Sequence, residues 1–197
     1  MVSSSYPDLL EVDWSSIPAP VDDGGARHLE GLHVPDLPLP ATDGSMVSLG
    51  TLSGRVVVYA YPRTGRPGQI SVVEDWDMIP GARGCTPQSC AFRDHHGELL
   101  AAGATRVFGL STQDSDYQRE AVERLQLPFP LLSDLKLEFS RALRLPTMEV
   151  GGLVLLKRLA LVLDDGWIAK VFYPVFPPDR NAGEVLAWLK ANARDDL

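Results

Sequence analysis

PGARGCTPQSCAFRD, residues 80–94, contains both cysteines of the chain. Gly84 precedes Cys85 and Thr86-Pro87 follows it, a pattern in which Thr86 serves as N-cap and Pro87 as the first residue of a helix. Cys85 then lies at the helix start, where backbone N–H groups lack intrahelical partners and carry partial positive charge, which favours a thiolate over a thiol. Arg83 adds a cation two residues away, so Cys85 is the expected nucleophile. Cys90 falls further into the helix, where the N–H groups are paired. Five residues along an ideal helix hold the two Cα atoms about 8–9 Å apart, beyond the roughly 7 Å that a disulfide spans. A bond between them therefore requires the helix start to unwind. The spacing alone fits two small side chains filling a core just as well; the helix-start context favours chemistry. His95 and His96 lie near Cys90, but the paired ligand dyads of a zinc site are missing, and both histidines are expected on the helix surface.

Outward from this stretch the chain alternates strands and helices. VVVYAY, residues 56–61, is a continuous β-branched and aromatic run that suits a strand buried on both faces. Further strands are expected at residues 106–110, 129–132, 153–163 and 168–175, the last two joined through Asp164-Asp165-Gly166. Helices are expected at 86–102, at 115–126 behind the capping pattern Ser115-x-x-Gln118, at 135–145 and at 181–193. Residues 33–54, broken by Pro35, Pro38, Pro40 and Asp43-Gly44, suit a small hairpin or irregular strands. This order implies an α/β architecture, a central mixed β-sheet flanked by helices.

Composition narrows the function classes. At 197 residues and 45% hydrophobic, the chain suits one domain. No run has the roughly 18–20 apolar residues that cross a bilayer, and the N-terminal stretch lacks the basic start and apolar core of a secretory signal. A cytoplasmic protein with no membrane partner is expected. The net charge of −8 sits mostly at the ends. Asp8, Glu11, Asp13, Asp22 and Asp23 occupy residues 1–25, which hold no Lys or Arg. We expect residues 1–25 to form an acidic N-terminal extension, extended or loosely attached, ahead of a domain at 26–197. Asp195 and Asp196 add to the charge at the other end, and residues 26–194 between are close to neutral and show no basic face, so nucleic acid is not an expected partner. Two cysteines make no disulfide scaffold for a domain this size.

GCTPQSCAFRD, residues 84–94, resembles the active-site segment of the bacterioferritin-comigratory, or PrxQ-like, peroxiredoxins. YAYPRTG (59–65), VFGLSTQD (107–114), LPFPLLSD (127–134) and KRLALVLDDGWIAKVFY (157–173) extend the likeness over roughly residues 28–193. The resemblance implies a thioredoxin-like fold and reduction of hydrogen peroxide and organic hydroperoxides without metal, haem or flavin. It implies that Cys85 attacks the peroxide and becomes a sulfenic acid, that Cys90 resolves it by condensation, and that thioredoxin or a similar dithiol restores both thiols. The active-site arginine of the pattern falls on Arg158, with Ala160 where threonine is common. Lys157 and Arg158 interrupt an apolar run, a costly place for charge unless it is paired or used. An exposed strand start is the plainer account of the same pair.

Two departures stand out. Ala82 occupies the position three residues before Cys85 where the pattern carries a hydroxyl, and 23 residues separate Pro62 from Cys85, far more than the pattern has. We read residues near 66–81 as an insertion between Gly65 and Gly84, a lid, a docking surface or a plain surface loop. Pro62 then keeps the original turn, and Thr64 supplies the missing hydroxyl. An intramolecular partner cysteine makes a monomer the expected state. The alternative function is a redox-sensing binding protein switched by Cys85–Cys90 disulfide formation.

Overall fold

The computed structural model describes residues 12–193. VVVYAY forms the middle of the sheet. It belongs to β3 (Arg55–Ala60), buried at every position, with Val56, Val58 and Ala60 in the core of one face and Val57, Tyr59 and Tyr61 in the core of the other. A strand apolar on both sides requires cover on both sides. β3 runs parallel to β4 (Ala104–Ser111) and antiparallel to β8 (Leu159–Asp164). β5 (Leu131–Ser133) and β9 (Trp167–Phe172) complete a mixed sheet of order β5-β4-β3-β8-β9.

On the Tyr59 face, Phe92, Leu99, Leu125 and Leu189 bring in α1 (Cys85–Asp94), α2 (His96–Ala101), α3 (Ser115–Leu125) and α5 (Asn181–Ala191). The opposite face is covered by Phe139 and Leu143 of α4 (Glu138–Leu143) and by the hairpin of β1 (Pro38–Pro40) and β2 (Met46–Ser48). The expected mixed sheet with helices on both faces is therefore observed. Among the described residues no helix is long and apolar enough to cross a membrane.

Four local expectations are corrected. The helix after the cysteine segment starts at Cys85, with Gly84 rather than Thr86 as N-cap. Gly84 sits at φ 104°, and a Cβ there would lie 2.7 Å from both Pro178 and Trp14, so position and packing both demand glycine. Pro87 occupies the third helical position, where its missing N–H is still one the helix does not need. The expected 86–102 helix is two helices, divided at His95, whose φ of −90° and ψ of 1° leave the helical region. The expected strand 153–163 is also two elements. β7 (Leu153–Leu156) pairs with β6 (Thr147–Val150) across Gly151-Gly152, both at positive φ, and the chain enters the main sheet only after Lys157-Arg158. Finally, residues 12–25 are packed rather than loosely attached, through Trp14, Pro20 and Asp23; residues 1–11 of the extension lie outside the described residues.

The segment between Gly65 and Gly84 builds a small core of its own. Trp76 and Ala82 are buried with Val150 and Leu155 of the β6–β7 hairpin, and Val72, Val73 and Ile79 pack against them. Gly151 admits Val72 closely, since a Cβ there would lie 2.7 Å from its side chain.

Candidate active site

α1 begins at the C-terminal ends of β3 and β4, the edge at which open α/β sheets place their sites. Its inner face is fixed on the sheet by Phe92, whose ring stacks on Tyr59 at 4.3 Å between centroids, and by the Tyr59 hydroxyl, which donates to Ser89 Oγ at 3.0 Å. The helix cannot slide without breaking both contacts, so the start of α1 has a defined position over the sheet.

Cys85 is buried, a free thiol ringed by donors. Arg158 Nη2 donates to its Sγ at 3.3 Å and the Arg63 backbone N–H at 3.4 Å. Arg158 comes from the break between β7 and β8, and its neighbour Lys157 turns the other way, to Asp23 at 2.6 Å. The charge that interrupts the apolar run is thus buried at 3% exposure and directed at Cys85, not an exposed strand start. Its guanidinium is held by Gln88 Oε1 at 2.5 Å and by the carbonyls of Gly81, Ala82 and Arg83 at 3.1–3.3 Å. Gln88 is held in turn, donating to Asn181 Oδ1 at 3.0 Å. An arginine tied at this many points contributes a fixed positive charge that needs no reorganisation when charge develops beside it.

Cys90 lies on the same helix and borders the same cavity, but meets no such donors. Burial pushes its thiol up; Arg93 and Arg124 only partly offset this, and Asp94 adds to it. His95 bonds the Ala91 carbonyl through Nδ1 at 3.0 Å, and His96 packs against Phe129. Both histidines are partly buried rather than on an open surface, and burial lowers the pKa of His96. Among the described residues no group of three His, Cys, Asp or Glu side chains is placed to hold a metal.

Thr64 reaches the cavity wall beside Cys85. Its hydroxyl donates to Gln113 Oε1 at 3.1 Å, its N–H donates to the same oxygen at 2.9 Å, and Gln113 Nε2 returns a bond to the Thr64 carbonyl at 3.2 Å. The structure thus brings Cys85, Cys90, Arg158 and Thr64 to one place, with Thr64 tied to Gln113 rather than to Cys85. Ala82 supplies only its carbonyl, to Arg158 and to Cys85 Sγ. The cavity, about 800 Å³, is walled by the 66–84 segment on one side and α1 on the other, with Arg63 and Arg66 stacked over Tyr117 at its rim.

Sequence reasoning missed Gln88, Gln113, Asn181 and the Arg63 N–H. Gln88 had a signal, since it follows Cys85 by three residues and so shares its helix face. Asn181 and the backbone donor had none, because both act through tertiary position.

Comparison with known proteins identifies the family. The Redoxin family model matches residues 29–186. The chloroplastic peroxiredoxin Q of Oryza sativa subsp. japonica is 34% identical over 164 residues, 82% of this chain and 67% of that protein. That of Suaeda salsa is 33% identical over 168 residues, 84% and 70%. Among solved structures, peroxidoxin BcpB from Mycobacterium tuberculosis superimposes with a TM-score of 0.66 at 28% identity, covering 83% of this chain and 98% of that one. Xanthomonas campestris peroxiredoxin Q gives 0.66 at 25% identity, covering 85% and 98%. With the family match over most of its length and an overall fold similar to these structures, the chain belongs to the Redoxin family, and within it to the peroxiredoxins of the bacterioferritin-comigratory or Q group, on a thioredoxin-like fold.

Proposed function

We propose that this thiol-dependent peroxidase works through Cys85 as the attacking thiolate and Cys90 as the resolving thiol. The observation that carries the reading is the pair of donors on Cys85 Sγ, Arg158 Nη2 and the Arg63 N–H, at the wall of a cavity large enough for a peroxide. The thiolate attacks one peroxide oxygen, an S–O bond forms as the O–O bond breaks, and the leaving oxygen departs as water or an alcohol after taking a proton. Charge moves from sulfur to the leaving oxygen along a line beside Arg158, which stabilises both ends of it. Thr64, its hydroxyl proton given to Gln113, keeps lone pairs that accept the peroxide O–H and orient it. In this reading it takes the place of the hydroxyl missing at Ala82.

The sulfenic acid then loses its oxygen as water when the Cys90 sulfur attacks Cys85. Both positions lie in one helix, so this step needs α1 to unwind at its start. A dithiol protein such as thioredoxin reduces the disulfide by exchange, becoming oxidised itself. Hydrogen peroxide and organic hydroperoxides are the proposed substrates, and a monomer in the reducing cytoplasm the proposed state.

The test is peroxide consumption by the wild type, Cys85→Ser and Cys90→Ser with thioredoxin and its reductase. We expect turnover to vanish in Cys85→Ser. Cys90→Ser should be oxidised once and then stall as sulfenic or sulfinic acid. A wild type that forms the disulfide reversibly with no sustained turnover supports a redox-sensing binding protein instead.

A further inference from the structure

Residues 14–25 lie across the outside of the segment that builds the Cys85 pocket. Trp14 opens a short 3-10 turn, Trp14–Ser16, capped by Asp13. Its indole presses on Gly84, the residue before Cys85, leaving no room for even a methyl group between Trp14 and Pro178. The indole N–H donates to Asp179 Oδ2 at 2.9 Å, and the ring meets Phe176 edge-on at 6.0 Å. Further along, Pro20 lies against Gly81, whose carbonyl accepts from Arg158. Asp23 accepts from Lys157 Nζ at 2.6 Å and from the Tyr173 hydroxyl at 2.7 Å, which hold its carboxyl well below the usual carboxylate range. The arm is therefore fastened beside Asp179 and beside Lys157, and it bears on Gly81 and Gly84 between those points.

We propose that this arm is a strap that keeps the first turn of α1 wound, with Trp14 setting how long the Cys85 sulfenic acid waits for Cys90. The inference rests on the resolving role proposed above for Cys90. The sulfenic acid has two fates. In one, the Cys90 sulfur attacks the Cys85 sulfur, the S–O bond breaks and water leaves. In the other, the Cys85 sulfenate attacks a second peroxide, the O–O bond breaks, and a sulfinate and an alcohol or water result. The first needs α1 unwound, because Cα atoms about 8–9 Å apart must come within roughly 7 Å. The second runs in the wound state. Unwinding swings Gly84 and Cys85 against Trp14, so the strap lengthens the interval in which the second peroxide competes. Trp14 is a positioning residue in this scheme and touches no reacting atom.

The test uses the full chain, with Trp14→Ala and the conservative Trp14→Phe, which keeps a ring but not the indole donor. Rapid-quench mass spectrometry after one equivalent of peroxide reads disulfide formation, and excess peroxide reads sulfinic acid at Cys85. For Trp14→Ala we expect disulfide formation about five- to tenfold faster, from loss of a packed ring and one hydrogen bond. The peroxide needed for half-maximal sulfinic acid should rise in step, and the first oxidation should stay within about twofold of wild type. Trp14→Phe should lie between. An unchanged disulfide rate, or a first oxidation slowed as much as resolution is changed, overturns the strap. Hydrogen exchange of the amides at 84–90 in Cys90→Ser separates the two readings. Unchanged exchange on adding Trp14→Ala overturns the strap whatever Cys90 does. Faster exchange, in a protein whose wild type forms no disulfide, supports the strap and removes the resolving role of Cys90.

Discussion

Cys85 and Cys90 are the same residue type, in the same helix, both buried and both at the wall of one cavity. They differ in what faces the sulfur. Cys85 meets a guanidinium and a backbone N–H, while Cys90 meets burial first, with the opposing charges of Arg93 and Asp94 beside it. Placement at a helix start therefore explains only part of the difference. The rest comes from partners such as Arg158, carried in from a break between strands 73 residues along the chain, because a low-dielectric pocket strengthens a nearby charge.

The strongest way to break this comparison is to take the guanidinium away. Arg158→Met should lower the second-order rate constant of Cys85 with peroxide by about 10²–10³-fold, the usual effect of deleting one preorganised donor from a site where charge develops. Stopped-flow or competition kinetics reads it, and near-UV circular dichroism checks that Gln88, whose Oε1 loses the Arg158 donor, has not unsettled the fold. A loss under threefold would mean that the helix start alone distinguishes the two cysteines. Gln88→Ala tests the same point one step removed. It leaves the guanidinium its three carbonyl partners and should cost about tenfold, through misplacement of a charge rather than its loss. Gln88→Glu should restore most of it, since a carboxylate accepts from Arg158 as well; no rescue would count against a positioning role.

The Cys90 side of the comparison is sharpened by pH. Burial favours the neutral thiol, so in Cys85→Ser the alkylation of Cys90 by iodoacetamide should rise with an inflection above the roughly 8.5 of a free thiol. At neutral pH it should lag a small thiol several-fold. Arg93→Ala should move the inflection further up and Asp94→Asn should move it down, because the first removes a stabilising cation and the second an opposing anion. An inflection at or below that of the free thiol would show that Cys90 is activated in place.

How much of this was legible in the chain follows from which interactions are local. VVVYAY declared a doubly buried strand because its pattern is a matter of adjacent residues. The helix start at Cys85 was legible for the same reason, though the capping glycine was misjudged, since Thr86 is the better cap by propensity while the crowding of Trp14 and Pro178 on Gly84 decides the matter. Arg158 was placed by the resemblance, and the cost of charge in an apolar run supported it while leaving an exposed strand start open. The division of that run at Lys157-Arg158 was not legible, because the Gly151-Gly152 turn directs β7 to β6 instead of to the main sheet. Residues 12–25 read as loose because their partners, Lys157, Tyr173 and Asp179, lie more than 130 residues away. The insertion showed its length, but the burial of Trp76 against the hairpin depends on a strand that sequence reasoning did not anticipate.

The smallest effect belongs to Thr64, and it compares two ways of placing a hydroxyl. In this chain the hydroxyl of Thr64, a residue of the cavity wall, is held by a side-chain amide, with Gln113 engaging the Thr64 N–H, hydroxyl and carbonyl together. Thr64→Val removes the oxygen and keeps the shape. It should lower the peroxide rate constant by about three- to tenfold, the worth of a hydrogen bond to substrate near 1 kcal/mol. Gln113→Ala keeps the oxygen but frees the loop at residues 62–65, so it should give a loss of similar size together with faster amide exchange there, which Thr64→Val should not show. The double variant decides between them. If Gln113 acts by holding Thr64, the two losses share one cause and the pair should cost little more than the worse single change. Losses that multiply would mean that the peroxide meets Thr64 and Gln113 separately.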